Sequence, residues 1–353
     1  MAMNSAELLR ALLSINSVSS VSNRPVIELV KTQLPWPTTE FAYIDHAGVE
    51  KVNCVFGATD ARLALVCHTD TVPFEEALTA RSDGDKVFGR GSCDTKGFLA
   101  AALDALGRAE ARPCEVSLVL TADEEIGCVG AKHLLAKRAI SPRYAIVGEP
   151  TGLQPVRAGK GYGLAEVIVT GREAHSAFPD LGVSAINRAA RLIGQIEGFG
   201  RELQSDNDAS FAPPFTTLNI GKISGGTAKN VVAGECRFLL EWRPIPVQEP
   251  RFVPDRVSAM VSEFGRLEVQ RAERGFATPA ESALVKLVER QTSHAAGSVS
   301  FGTEAPQLTA LGAETIVFGP GSMSVAHTNA EFVPVVELER CAYVLAQVIA
   351  QLR

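Results

Sequence analysis

The sequence predicts an α/β protein with a mainly parallel sheet flanked by helices, interrupted by a smaller α+β segment. Three observations carry this. Apolar strand-like runs alternate with helical patterns in the first part of the chain. The pattern then switches to half-exposed alternating strands and one long amphipathic helix. After about Thr278 the first pattern returns. At roughly 150 residues per domain, a chain of 353 residues has room for two domains.

The N-terminus opens with a capping box, Asn4 with Glu7, and Leu8, Leu9, Leu12 and Leu13 then line one helix face. Residues 62–67 read as a buried strand, because the apolar run is too short for a helix. Residues 96–110 are rich in Ala and Leu and read as a helix; 115–120 is a strand, 129–138 a helix and 144–147 a strand. This βαβ rhythm implies parallel strands covered by helices. Residues 164–170 alternate, as in an antiparallel strand with one wet face. The amphipathic helix covers 184–203, and a polar loop with Pro213 and Pro214 leads to a strand at 216–221. A strand at 236–242 ends at Arg243-Pro244, and 252–264 reads as helical. The returning pattern is a helix at 281–292, a strand at 315–318 and a last helix at 335–352.

Hydrophobic residues make up 46% and charged residues 21%, which suits a globular chain with a substantial core. A net charge of -6 without a basic run argues against nucleic-acid or anionic-membrane partners. The seven cysteines are odd in number and form no CxxC pair, so reduced thiols in a cytoplasmic protein are expected. No signal-peptide pattern opens the chain, and no apolar stretch is long enough to span a bilayer.

Chemistry-bearing residues follow the apolar strands, where open parallel sheets bind ligands. His68-Thr69-Asp70 comes first: the carboxylate can orient the imidazole as a metal ligand, though a purely structural His–Asp pair fits equally well. Asp94, in the glycine-rich turn Gly89 to Gly97, has helix capping as its simplest explanation. Asp123-Glu124-Glu125 places three acids after an apolar strand, which is costly without a compensating cation. Glu149 closes another strand, and His327 follows the loop Gly319-Pro320-Gly321. Singly, each has a bland explanation. Together, two histidines and several carboxylates at strand ends of one sheet form a donor set for paired divalent metals.

These motifs resemble the M20 metallopeptidase and deacylase family. The carriers are His68-Thr69-Asp70-Thr71-Val72-Pro73, Gly91-Ser92-Cys93-Asp94-Thr95-Lys96-Gly97, Ala122-Asp123-Glu124-Glu125, Gly148-Glu149-Pro150-Thr151 and His327, spread along almost the whole chain. The resemblance implies two divalent ions per subunit, zinc by default and cobalt as an alternative. His68, Glu149 and Asp94 would hold one; Glu125, His327 and the bridging Asp94 would hold the other. Asp70 would support His68, and Glu124 would be the general base. Residues 1–158 and 273–353 would form the catalytic domain, and 159–272 an inserted lid that makes a homodimer. In that insert, Gly171-Arg172-Glu173-Ala174-His175-Ser176 resembles the family's lid histidine motif. His175 would stabilise an oxyanion, in the partner's site; Asn230 and Arg243 would hold a substrate carboxylate.

Two stretches narrow the resemblance. Residues 148–158 and the pair Gly302-Thr303-Glu304-Ala305-Pro306 and Gly319-Pro320-Gly321-Ser322 are similar to the branch that deacetylates acetylornithine. The implied reaction is hydrolysis of N-acetyl-L-ornithine to ornithine and acetate, in arginine synthesis. Acetylcitrulline deacetylase, succinyl-diaminopimelate desuccinylase and other aminoacylases or dipeptidases share the metal motifs and stay open as alternatives. Glu304, on the loop leading towards His327, is expected to pair with a substrate ammonium. Cys93 has no functional reading.

Overall fold

The structure is a computed structural model and describes residues 3–74 and 80–352. The chain divides into two compact units: Met1–Arg157 with Ala277–Gly297 and Thr303–Arg353, and Ala158–Phe276 with Ser298–Gly302.

The first unit is built on a sheet whose neighbouring strands are, in order, Thr38–Ile44, Glu50–Phe56, Val116–Thr121, Leu63–His68, Tyr144–Val147 and Glu314–Val317. The last four run parallel. They are short and largely apolar, and the strands at 63–68, 116–121 and 144–147 are buried on both faces. Helices Ser5–Leu13, Lys96–Arg108, Ala283–Thr292 and Val335–Leu352 contribute to one core with them. The Asn4–Glu7 capping box is present, and Leu8, Leu9, Leu12 and Leu13 are buried. Parallel strands place their carboxyl ends along one edge, so the segments following them are neighbours whatever their separation in sequence.

Two antiparallel strands that the sequence pattern did not reveal, Thr38–Ile44 and Glu50–Phe56, extend this sheet. The second hides polar groups: Lys51 and Asn53 are buried and satisfied internally, so it lacks the signature of an apolar run. Helix Arg24–Gln33 was also unforeseen.

The second unit is a four-stranded antiparallel sheet ordered Thr217–Gly225, Glu235–Arg243, Tyr162–Thr170, Gly265–Glu273. Ala165, Val167 and Val169 share a core with Phe238, Leu240 and Trp242 and with helices Ala185–Glu202 and Phe252–Val261. Gly163 is required here, since a Cβ would lie 1.8 Å from the Trp242 indole. The strand at 265–273 escaped the sequence reading because its mixed charges suit an edge strand with little burial. No described helix is long and apolar enough to cross a membrane.

Candidate metal centre

The segments after the four parallel strands carry the expected residues to one place. His68 ends its strand. Ala122 to Glu125 follow Thr121, Gly148-Glu149 follow Val147, and His327 lies on the loop after Val317. Asp94 comes from the turn before helix Lys96–Arg108, which packs beneath the sheet. It does not cap that helix: Thr95 holds the cap position without a side-chain bond. Instead, Asp94 Oδ1 lies 3.1 Å from His68 Nε2, and Oδ2 lies 3.1 Å from His327 Nε2. His327 Nε2 is also 3.2 Å from Glu125 Oε1. One donor atom each from His68, Asp94 and Glu125 falls within 4.8 Å of the others. A carboxylate facing a different imidazole through each oxygen is disposed to bridge two ions.

The three consecutive acids separate into different roles. Asp123 has φ 59, which turns its side chain away from its neighbours. Lys51 Nζ lies 3.2 Å from it, and the Tyr43 hydroxyl donates to it at 2.9 Å. Lys51 is the compensating cation for this acid, and it came from a strand not anticipated. Asp123 is thereby left out of the donor set.

Asp70 differs from the sequence expectation. It lies beyond the strand, and its carboxylate is 3.7 Å from His68 Nδ1, whereas its main-chain oxygen is 3.0 Å from that nitrogen. The carboxylate instead accepts from the amides of Glu124 at 3.0 Å and Glu125 at 3.3 Å, and from the Ser19 hydroxyl at 2.7 Å. It therefore anchors the two glutamates, and main chain orients the histidine. Ser19, which completes this anchor, carried no sequence signal.

The electrostatics describe a pocket crowded with acids. Burial pushes the Glu124 carboxyl up to about 8, with the charges of Glu125, Glu304 and Asp94 adding to the effect and His68 opposing it. Glu149 is raised by burial, then by Asp94 and Glu124. Burial disfavours both charged partners of the His68–Asp94 pair. Hydrogen bonding and opposite charge nonetheless hold Asp94 below the usual carboxylate range and His68 well above the usual imidazole range. His327 rises to about 10 through its bonds to Asp94 and Glu125. The two imidazoles with the carboxylates of Asp94 and Glu125 around shared space are a fitting donor set for divalent ions.

Contrary to expectation, Glu304 does not sit within the loop leading towards His327. It stands at the start of helix Ala305–Ala310 and is fully buried. Thr121 donates to its Oε2 at 2.8 Å, while Oε1 is enclosed without a partner. Burial raises its carboxyl to about 7. Its carboxylate is thus closed off from solvent. Cys93 is packed against Gly321, which has φ +87° and where an added Cβ would lie 2.4 Å from the Cys93 Cβ, so no side chain fits there.

His175, Asn230 and Arg243 belong to the second unit. His175 pairs with Val231 in an isolated antiparallel bridge, which sets it beside Asn230, and its Nδ1 accepts from the Ala177 amide at 3.1 Å. Arg243 ends its strand over the Tyr162 ring, 4.4 Å from the centroid, with Glu241 at 2.8 Å. Sequence reasoning missed Glu331, which binds the Asp94 turn, because a lone acid before a short strand has no distinguishing pattern.

Comparison with known proteins gives a consistent result. The signature of the peptidase family M20/M25/M40 matches residues 64–351. A Myxococcus xanthus protein named acetylornithine deacetylase is 46% identical, covering 97% of this chain and 96% of its own. A protein of the same name from Proteus mirabilis is 32% identical, with 97% and 95% covered. Among solved structures, an aminopeptidase of Bacillus cereus superimposes with TM-score 0.78 at 21% identity, covering all of both chains. A metallo-carboxypeptidase of Sulfolobus solfataricus gives 0.76 at 18%, covering 99% of each. At these identities the two structures speak for the fold.

Proposed function

Since the chain belongs to the peptidase family M20/M25/M40, we propose that it is a two-metal amidohydrolase that removes the acetyl group of N-acetyl-L-ornithine. The observation that carries the metal reading is Asp94 set between His68 and His327, 3.1 Å from each. The substrate reading is supported by the 46% identical relative and its printed name.

His68, Glu149 and Asp94 would hold one ion, and Glu125, His327 and Asp94 the other. The mixed imidazole and carboxylate set favours zinc, with cobalt a workable substitute. Bound there, the ions supply Lewis acidity and make water a usable nucleophile at neutral pH. Glu124 takes the proton of the attacking water and returns it to the leaving amine. Asp70 holds the Glu124 main chain still for that transfer. Asn230 and the Arg243 guanidinium receive the substrate carboxylate, for which the planar fork is suited. His175 donates to the acyl oxygen, supplied by a second copy of the chain through a dimer of the smaller unit. All seven cysteines are free, which supports a reducing, cytoplasmic site of action.

The test is acetate release from acetylornithine, acetylcitrulline and acetylmethionine, with succinate release from succinyl-diaminopimelate, using protein stripped of metal and reloaded with zinc or cobalt. Metal-dependent turnover greatest on acetylornithine is expected. Turnover greatest on another member of the panel would keep the chemistry and reject the substrate. No turnover with any metal would reject the hydrolase.

A further inference from the structure

Glu331 is 1% exposed and lies far in sequence from every residue that the motifs single out except His327, four positions earlier. Its carboxylate gathers four donors from a single turn. Oε2 accepts from Arg90 Nη1 at 2.7 Å and from the Gly91 amide at 3.1 Å. Oε1 accepts from the Cys93 amide at 3.1 Å and the Asp94 amide at 3.2 Å. Its own carbonyl accepts from the Gly89 amide at 3.2 Å, and the next residue, Phe332, pairs with Phe88 in an antiparallel strand. The turn that carries Asp94 is therefore held by the same short segment that carries His327.

That arrangement has a chemical consequence. Asp94 must present one oxygen to His68 and the other to His327, and the direction of both oxygens follows from where its main chain is held. We infer that Glu331 is the positioning residue that sets Asp94 between the two metal sites and couples its placement to His327. This rests on the two-metal reading above. Arg90 neutralises the buried carboxylate and is needed for its burial, but it touches neither imidazole. The charge matters as well as the shape. A glutamine at 331 would keep one acceptor oxygen and turn an amide NH2 towards the other donors, so either Arg90 and Gly91 or Cys93 and Asp94 would lose their partner.

The experiment compares Glu331→Gln and Arg90→Met with the parent protein, each loaded with cobalt(II) after removal of metal. Loss of a partner that orients a ligand costs about 10–100-fold in metal affinity. Glu331→Gln is expected to weaken the looser of two cobalt sites by that factor, to change the visible cobalt absorption, and to lower kcat more than it changes KM. Arg90→Met is expected to lower the unfolding midpoint while leaving the cobalt absorption in place. If Glu331→Gln does not fold, Glu331→Asp keeps the charge and is read by the same absorption and affinity. A folded Glu331 variant with parental cobalt absorption and affinity, altered only in its unfolding midpoint, would reduce the residue to scaffold and overturn the inference. A parent protein that binds no cobalt would instead defeat the two-metal reading on which the inference stands.

Discussion

Asp70→Asn separates the two roles open to that residue. The carboxylate is 2% exposed and accepts three hydrogen bonds, from Glu124 N, Glu125 N and Ser19 Oγ. Asparagine keeps the shape and one oxygen. Its best orientation leaves that oxygen with Ser19 and Glu125, so the NH2 group faces the Glu124 amide, donor against donor. Hydrogen bonds to charged groups contribute about 1.5–3 kcal/mol each. Losing one, and removing the charge from two, should cost about 3 kcal/mol in all, part of it recovered as the Glu124 turn shifts. That shift moves the general base, and a displacement of about 1 Å can lower turnover by about a hundredfold. The bond from His68 Nδ1 to the Asp70 main-chain oxygen, 3.0 Å long, survives the substitution. Urea unfolding of the metal-free protein, followed by circular dichroism, reads the first effect, and kcat on acetylornithine reads the second. Unchanged unfolding combined with lost activity would refute this reasoning. It would mean that the carboxylate acts on His68 across 3.7 Å and not through the glutamate amides.

Three further expectations follow from the site. Glu124→Ala should retain its metal and lose at least about a hundredfold in turnover, the lower range for a general base; metal analysis showing that the ions leave with the activity would make Glu124 a ligand. The metal-free protein should become less stable as pH rises from 5.5 to 8. Burial holds Glu124 at about 8, against an ordinary 4.5, and Glu149 is also raised. In that window the folded chain therefore binds more protons than the unfolded one, and the stability they provide is lost as pH rises through the folded value. His68 and His327, both raised, act in the same direction. Thermal unfolding of stripped protein across that range is the check, and a midpoint that climbs with pH would be incompatible with this account. Zinc should remove the trend, because the ions replace the protons.

The amino-acid sequence by itself determined the α/β class, the parallel core strands and the motifs that carry the metal-centre residues. Short apolar runs separated by helical periods admit few other folds, and polar residues closing such runs stand out against them. The capping box and the leucine face of the first helix were legible for the same reason: both are local patterns. Only tertiary structure decided how the acids divide. Asp123, Glu124 and Glu125 are adjacent in sequence and alike in chemistry, yet a positive φ and a lysine from the strand at 50–56 take the first away from the other two. Asp70 could serve its histidine through carboxylate or main chain, and only the fold of the 123–125 turn shows that the carboxylate is otherwise engaged. Glu304 read as a loop residue and is instead buried at a helix start, where Thr121 donates to it. Glu331 had no pattern at all, because its partners lie more than 230 residues earlier, and a hydrogen bond across that span leaves no period for a sequence to display.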